Sequence, residues 1–324
     1  MKRSGPIALL VLATCAAPAV ADARAPAAET ARAGGNIRVT IAGSYAYRAG
    51  RVALLGDSVR IRGVVSTYVR GQTVTLRVTR GSRTVATAVR TVRRLGRRRG
   101  VFTMPFRPAD DGRFRVRVVH RASARQAFLS KTARLDVIEP RAGYPASGLR
   151  VRFLQQRLAA LGYAVPRNGV YMGGTQRAVL AFRKVNGMER ITSANQAIFT
   201  RIARMKGGFT PRFPSHGRHI EVDIPRQVMV LIEAGGKVHR IYHISSGKPS
   251  TRTVRGSFRV YSKTFGTNSH GMVHSSYFHG GYAIHGYQSV PVYPASHGCV
   301  RVPIPNARAI YRWIDFGTVV DTYR

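Results

Sequence analysis

The chain has 324 residues, with 53 Lys+Arg against 13 Asp+Glu, a formal charge of +40, and 44% hydrophobic residues. At ~100–200 residues per domain this is room for two or three domains, and the apolar content excludes a wholly disordered chain. Two cysteines exclude a disulfide framework, and the lack of a run of ~18 apolar residues after the N-terminus excludes an internal transmembrane helix. Only seven of the basic residues are Lys, so arginine dominates, with a dense cluster at Arg93, Arg94, Arg97, Arg98 and Arg99. Such a balance attracts anionic polymers of several kinds: nucleic acid, anionic membrane, or the phosphate and carboxylate polymers of a bacterial wall.

Lys2 and Arg3 precede a short apolar stretch, Ile7 to Ala13, and small residues offering Ala19-Val20-Ala21 or Ala21-Asp22-Ala23 for cleavage. Residues 1–23 read as a secretory signal peptide, with a lipoprotein signal ending at Cys15 as the alternative. Loss of Lys2, Arg3 and Asp22 leaves a mature charge of +39 and makes Cys299 the sole cysteine of an exported chain. An unpaired thiol outside the cytoplasm is buried, bonded to another molecule, or a nucleophile. Export also sets nucleic acid aside as a partner, and localisation is expected to be periplasmic or wall-associated.

Residues 24–35 read as a flexible lead. From 36 to 139, Val59–Val64, Val74–Val78 and Phe114–Val118 alternate apolar residues with Arg or Thr, the period of half-buried strands. Short strands at this spacing predict an immunoglobulin-like β-sandwich, with Asp110-Asp111-Gly112 as a turn and Arg97 to Gly100 as a basic hairpin loop. Residues 140–207 turn helical. Val151, Leu154, Leu158 and Leu161 follow a Ser147 cap; a second helix starts at Thr175. A third starts near Ser193, with Ala197, Ile198, Ile202 and Met205 inward. Residues 208–324 return to strands, with one helix capped by Asn306. The fold class expected is therefore multidomain and mainly β: a sandwich, a small three-helix bundle, and a β-rich domain with one helix.

The stretches "LRVRFLQQRLAALGY" and "NGVYMGGTQRAVLAFRKVNGM" resemble the peptidoglycan-binding family of three-helix modules, with Asn168-Gly169 at the usual Asp-Gly turn and Arg183 at a usual Gln. The resemblance implies that this module holds glycan or stem peptide; a bare spacer is the plainer reading.

The chemistry gathers in the last segment. "YAIHGYQSVPVYPASHGCVRV" holds His285, and eleven residues on, Ser296-His297-Gly298-Cys299-Val300-Arg301. A thiol nucleophile needs a base, and imidazole has the pKa for it. Glu233 and Asp315 bracket 81 residues without an acid, so no local carboxylate completes a triad and paired-carboxylate hydrolysis is excluded from this stretch. His270, His274, His279, His285 and His297 form a His-rich patch open to a zinc reading, but no Glu neighbours His270 and His274, and no metal is expected.

This stretch resembles the L,D-transpeptidase catalytic domain family, whose pattern is His, a variable loop, then Ser/Thr-x-Gly-Cys with an apolar residue and Arg or Asn. "IYHISSGKPSTRTVRGSFRV" resembles its upstream region, with Val254 in place of the usual Pro. The resemblance implies Cys299 as nucleophile, His285 as base and then acid, the Gly286 carbonyl orienting His285, and His297 supporting the site. It further implies Arg301, Ser296 and Gly298 at the substrate, with backbone N–H groups near Gly298 and Cys299 as oxyanion donors worth ~3–4 kcal/mol each. No cofactor is implied. The activity implied is 3→3 crosslinking of peptidoglycan stems through a cysteine thioester; a wall-anchoring protein that no longer turns over is the alternative.

Overall fold

The computed structural model describes residues 32–324. The expected signal peptide, Cys15 and most of the expected lead lie outside the described residues. Among the described residues no helix is long and apolar enough to cross a membrane.

Ten strands come first: β1 (Ile37–Ala42), β2 (Tyr45–Tyr47), β3 (Gly50–Leu54), β4 (Val59–Val65), β5 (Thr73–Arg80), β6 (Arg83–Thr91), β7 (Arg93–Leu95), β8 (Arg99–Phe106), β9 (Gly112–His120) and β10 (Leu129–Ile138). They form two sheets, β1-β4-β8-β7 and β2-β3-β10-β9-β5-β6, an order compatible with the immunoglobulin arrangement. Inward residues such as Ile61, Leu76, Val116 and Leu135 share one core, while Arg60, Arg62, Arg77, Arg115 and Arg117 face solvent. The basic turn is shorter than the sequence suggests. Arg99 and Gly100 already pair in β8, which leaves Gly96, Arg97 and Arg98 as the turn.

Three helices follow: α1 (Leu149–Ala160), α2 (Gly173–Val185) and α3 (Gln196–Ala203). The starts differ from the sequence reading. Gly148, not Ser147, is the N-cap of α1 and offers no side chain; α2 begins two residues before Thr175; Asn195, not Ser193, caps α3 by accepting from the Ile198 amide. Ala197 in α3 and Met205 two residues past its end are exposed, and Phe199 fills the core instead. A large aromatic ring brings far more apolar area than an alanine, so it sets the helix rotation.

The last segment holds β11 (His219–Asp223), β12 (Val228–Glu233), β13 (Lys237–His243), β14 (Gly256–Arg259), β15 (Ser262–Thr267), β16 (Val273–His279), β17 (Tyr282–Tyr287), β18 (Val300–Pro303), α4 (Ile304–Trp313) and β19 (Val319–Tyr323). Pro303, rather than Asn306, stands at the N-cap of α4; Pro305 in the first turn is preset for helical φ, so the helix starts early. One sheet runs β13-β12-β11-β19-β14 and the other β15-β16-β17-β18.

Strand β12 explains how the parts join. Its sequence is an unbroken apolar run because both faces are covered. Met229 and Leu231 face the second sheet and α4, together with Ile284, Val300 and Ile310. Val228, Val230 and Ile232 face the helical module, in a core with Phe153, Phe182 and Phe199 that extends to Tyr47 and Leu54 of the sandwich.

Candidate active site

Strands β17 and β18 lie parallel, with Ile284 opposite Val300 and His285 opposite Arg301. Residues paired across a ladder share a face, so extending the register puts Cys299 on the face of His285, one diagonal step away. Strand spacing and rise make that step ~8 Å between Cα atoms, within reach of a His side chain. A parallel pair requires a crossover, and here it is residues 288–299, an irregular loop that carries the Ser296–Cys299 motif.

His285 is buried, and its Nδ1 lies 3.0 Å from the Gly286 carbonyl. A carbonyl only accepts, so Nδ1 carries the proton and Nε2 keeps its lone pair. Burial pushes the His285 pKa down; the Gly286 carbonyl opposes this, and Arg301 adds to it. Gly286 itself packs under α4, where a Cβ would come within 2.7 Å of the Ala307 Cβ.

The Cys299 thiol points at the Gly281 carbonyl, 3.6 Å away. Burial pushes its pKa up, with a backbone hydrogen bond from Ala283 and the Arg301 charge pulling the other way. Both shifts favour the uncharged forms, thiol at Cys299 and imidazole at His285. Arg301 stacks its guanidinium 4.2 Å from the Tyr287 ring centroid, and Tyr287 meets His285 edge-on at 5.7 Å.

The loop before Cys299 is shaped from within and from behind. Ser296 is 1% exposed. Its Oγ donates to the Cys299 carbonyl at 2.6 Å and accepts from the Gly298 amide at 3.1 Å. The hydroxyl is thus committed to the turn. The same bond occupies the Gly298 N–H expected in the oxyanion hole. No acceptor for the Cys299 amide is found among the described residues. Gly298 has φ +120°, and a Cβ there would fall 2.5 Å from the Tyr282 ring. His297 is exposed at the loop tip.

Sequence reasoning missed the residues that hold this loop. Thr253 donates to the Gly298 carbonyl at 2.7 Å and accepts from the Gly247 amide at 2.9 Å. Thr251 donates to the Ser296 carbonyl at 3.0 Å, and Ser245 exchanges both backbone bonds with Arg301. Thr253 lies in the upstream stretch already singled out, which was the available signal. Of the rest of the His-rich patch, His274 stacks on Phe265 at 4.5 Å, and His279 lies tilted against Phe258 at 4.7 Å and Tyr282 at 6.0 Å. Among the described residues no group of three or more His, Cys, Asp or Glu is placed to hold a metal.

Comparison with known proteins matches two family models. Residues 217–321 match the L,D-transpeptidase catalytic domain, and residues 147–192 match the putative peptidoglycan binding domain. No curated protein matches the chain. Among solved structures, an L,D-transpeptidase from Xylanimonas cellulosilytica is 35% identical, with a TM-score of 0.52, over 57% of this chain and 98% of its own. An L,D-transpeptidase from Stackebrandtia nassauensis is 20% identical, with a TM-score of 0.36, over 55% of this chain and 93% of its own. Nearly the whole of the first relative is therefore matched at an identity that carries kinship as well as fold, the catalytic-domain match spans the residues that build the Cys299 corner, and the chain belongs to the L,D-transpeptidase family.

Proposed function

We propose that the protein is an exported L,D-transpeptidase that forms 3→3 peptidoglycan crosslinks through a thioester on Cys299. The observation that carries this reading is the fixed tautomer of His285: Nδ1–H is held by the Gly286 carbonyl, which leaves Nε2 free to take a proton. It also accounts for catalysis in a stretch without acids, since the carbonyl dipole does what a carboxylate does elsewhere.

In the first half-reaction Cys299 Sγ attacks the carbonyl of the third stem residue, and Nε2 of His285 takes the thiol proton. The oxyanion forms beside the Cys299 amide, the donor left unoccupied at the turn. Collapse breaks the bond to the terminal D-alanine, whose amine leaves with the proton from His285. In the second, an acceptor amine attacks the thioester, gives its proton to His285, and releases the thiol, which regains a proton from the imidazolium. Arg301, stacked beside the pair, serves a substrate carboxylate or buttresses His285. The helical module holds glycan or stem peptide; a groove of about 820 Å³ beside Tyr144, Arg150 and Asn195 gives it room. The arginine surfaces add affinity for anionic wall polymers.

The test is intact-mass spectrometry after exposure to a carbapenem. The wild-type chain gains one adduct, and Cys299→Ala gains none while keeping its fold. An adduct on the Ala variant, or none on the wild type, overturns the reading. His285→Ala is expected to lose far more activity than His297→Ala, because only His285 has a fixed tautomer on the face of the thiol. Equal losses in two folded variants would reassign the base.

A further inference from the structure

The loop that joins the base-bearing strand to the nucleophile is interrupted by Pro291 and Pro294 and has little secondary structure of its own. Three anchors hold the carbonyls of its first half. Val290 accepts from His243 Nε2 at 2.9 Å, Val292 from Arg190 Nη1 at 2.7 Å, and Tyr293 from Ser245 Oγ at 2.7 Å. Two of the three lead out of the catalytic domain and into the helical module.

Arg190 follows α2 and bridges two catalytic-domain carbonyls, since its Nη2 donates to Pro225 at 2.8 Å. The second route runs through Lys184, which lies in α2 and is 3% exposed. Its Nζ lies 2.7 Å from His243 Nδ1, 3.1 Å from the Ile244 carbonyl and 3.2 Å from the Gln227 carbonyl. The chain of donors has only one direction. The Val290 carbonyl accepts, so His243 Nε2 carries the proton; His243 Nδ1 is then an acceptor, and Lys184 donates to it. Lys184 thereby selects the His243 tautomer able to hold Val290. Burial, with Arg190 nearby, draws the Lys184 pKa down to about 6, whereas three acceptors round one nitrogen favour its ammonium. A buried amine in this position is costly, and an apolar side chain would join the two bodies at lower cost. Adhesion between domains does not explain why a lysine is there; the anchoring of the loop does.

We propose that Lys184 and Arg190 are positioning residues for the reaction: the helical module holds the loop that sets Cys299 against His285. The module then acts inside the catalytic cycle as well as on the wall. This inference rests on the reading of Cys299 and His285 as nucleophile and base.

The test uses the full chain with Lys184→Met, which keeps length and bulk, Arg190→Gln at a half-buried site, and exposed Lys206→Met as control. Two quantities are read: hydrogen exchange of residues 286–296, and the second-order rate of carbapenem addition to Cys299. Lys184→Met and Arg190→Gln are expected to raise exchange in the loop, leave β11 and β12 protected, and slow acylation by about tenfold or more, as misplacement of a reacting group does. With substrate, the loss falls on kcat rather than KM. The control behaves as wild type. Unchanged loop exchange, or raised exchange with unchanged acylation, overturns the proposal. Should Lys184→Met fail to fold, Arg190→Gln decides alone. A wild type that gains no adduct counts against the nucleophile instead, and loop exchange in the variants still decides whether the module orders the loop.

Discussion

Thr253 holds both ends of a contact that 45 residues of chain separate, and it shows what a single hydroxyl does at this site. Thr253→Val keeps the shape but leaves a buried carbonyl and a buried amide unpaired, a loss of about 1–3 kcal/mol. Thr253→Ser keeps the bonds. Denaturant titration is expected to separate the two, and equal midpoints would show that the loop does not depend on this hydroxyl. Arg301 sets the charge beside the reacting pair. It lowers the pKa of both His285 and Cys299, so Arg301→Gln raises both. Because only the thiolate is alkylated, iodoacetamide labelling of Cys299 at pH 8 should slow in that variant, and its pH profile should move to higher pH. Cys299, His285 and Arg301 stand out in the sequence as candidates because they lie in one short motif. Thr253 and Lys184 were not legible as functional residues, since their partners are distant in the chain. A lysine in the last turn of a helix ordinarily complements the helix dipole in solvent; Lys184 is buried only because β12 and β13 cover it.

Elements with strong periodicity followed their sequences, and those without it did not. Leu76, Val116 and Leu158 fell inward as their spacing requires, whereas β15 and β16, rich in Ser, Thr, Lys and His, carried too little alternation to be read as strands. Helix starts shifted by one to three residues: a glycine stands in place of the polar cap at α1 and a proline at α4, while the cap of α3 moved from Ser193 to Asn195. The loop between β17 and β18 was recognisable by its motif, but its conformation is fixed by partners just after α2, on β13 and in the 245–253 segment, which no local pattern reports. One of those partners yields a pH prediction. Burial, and then the Lys184 charge, pushes the His243 pKa down to about 3. The unfolded chain takes up a proton near pH 6.5 that the folded chain refuses, so stability falls as pH drops from about 6.5 toward 3, by roughly 1 kcal/mol per unit. Urea midpoints at pH 7, 5.5 and 4.5 measure the slope, and His243→Gln should flatten it. Parallel slopes would place the acid sensitivity elsewhere.

At the scale of the whole molecule, an apolar core runs from Tyr47 through Phe153 and Phe182 to Val230 and Ile241 without a break. A division into sandwich, bundle and catalytic segment does not report the packing, because β12 reads as one buried strand whichever neighbour buries it. Removing the helical module would strip one face of β12, so a truncated chain is expected to aggregate. The intact chain should show one calorimetric transition with equal van't Hoff and calorimetric enthalpies; two resolved transitions would mean that the shared core does not couple the parts. Salt separates the two modes of wall holding. Sedimentation with sacculi should weaken steeply as ionic strength rises, since counterion release drives polyelectrolyte binding. A fraction that resists salt would come from recognition in the helical module; its absence would leave arginine as the sole attachment. The unbroken core has a geometrical corollary. A swivel between anchor and blade would let an enzyme stitch any strand within a radius, whereas a body without a joint works as a caliper. If the module grips the wall as proposed, Cys299 would stand at one distance and one heading from the grip, and the spacing of the mesh would be gauged by the protein's own dimensions.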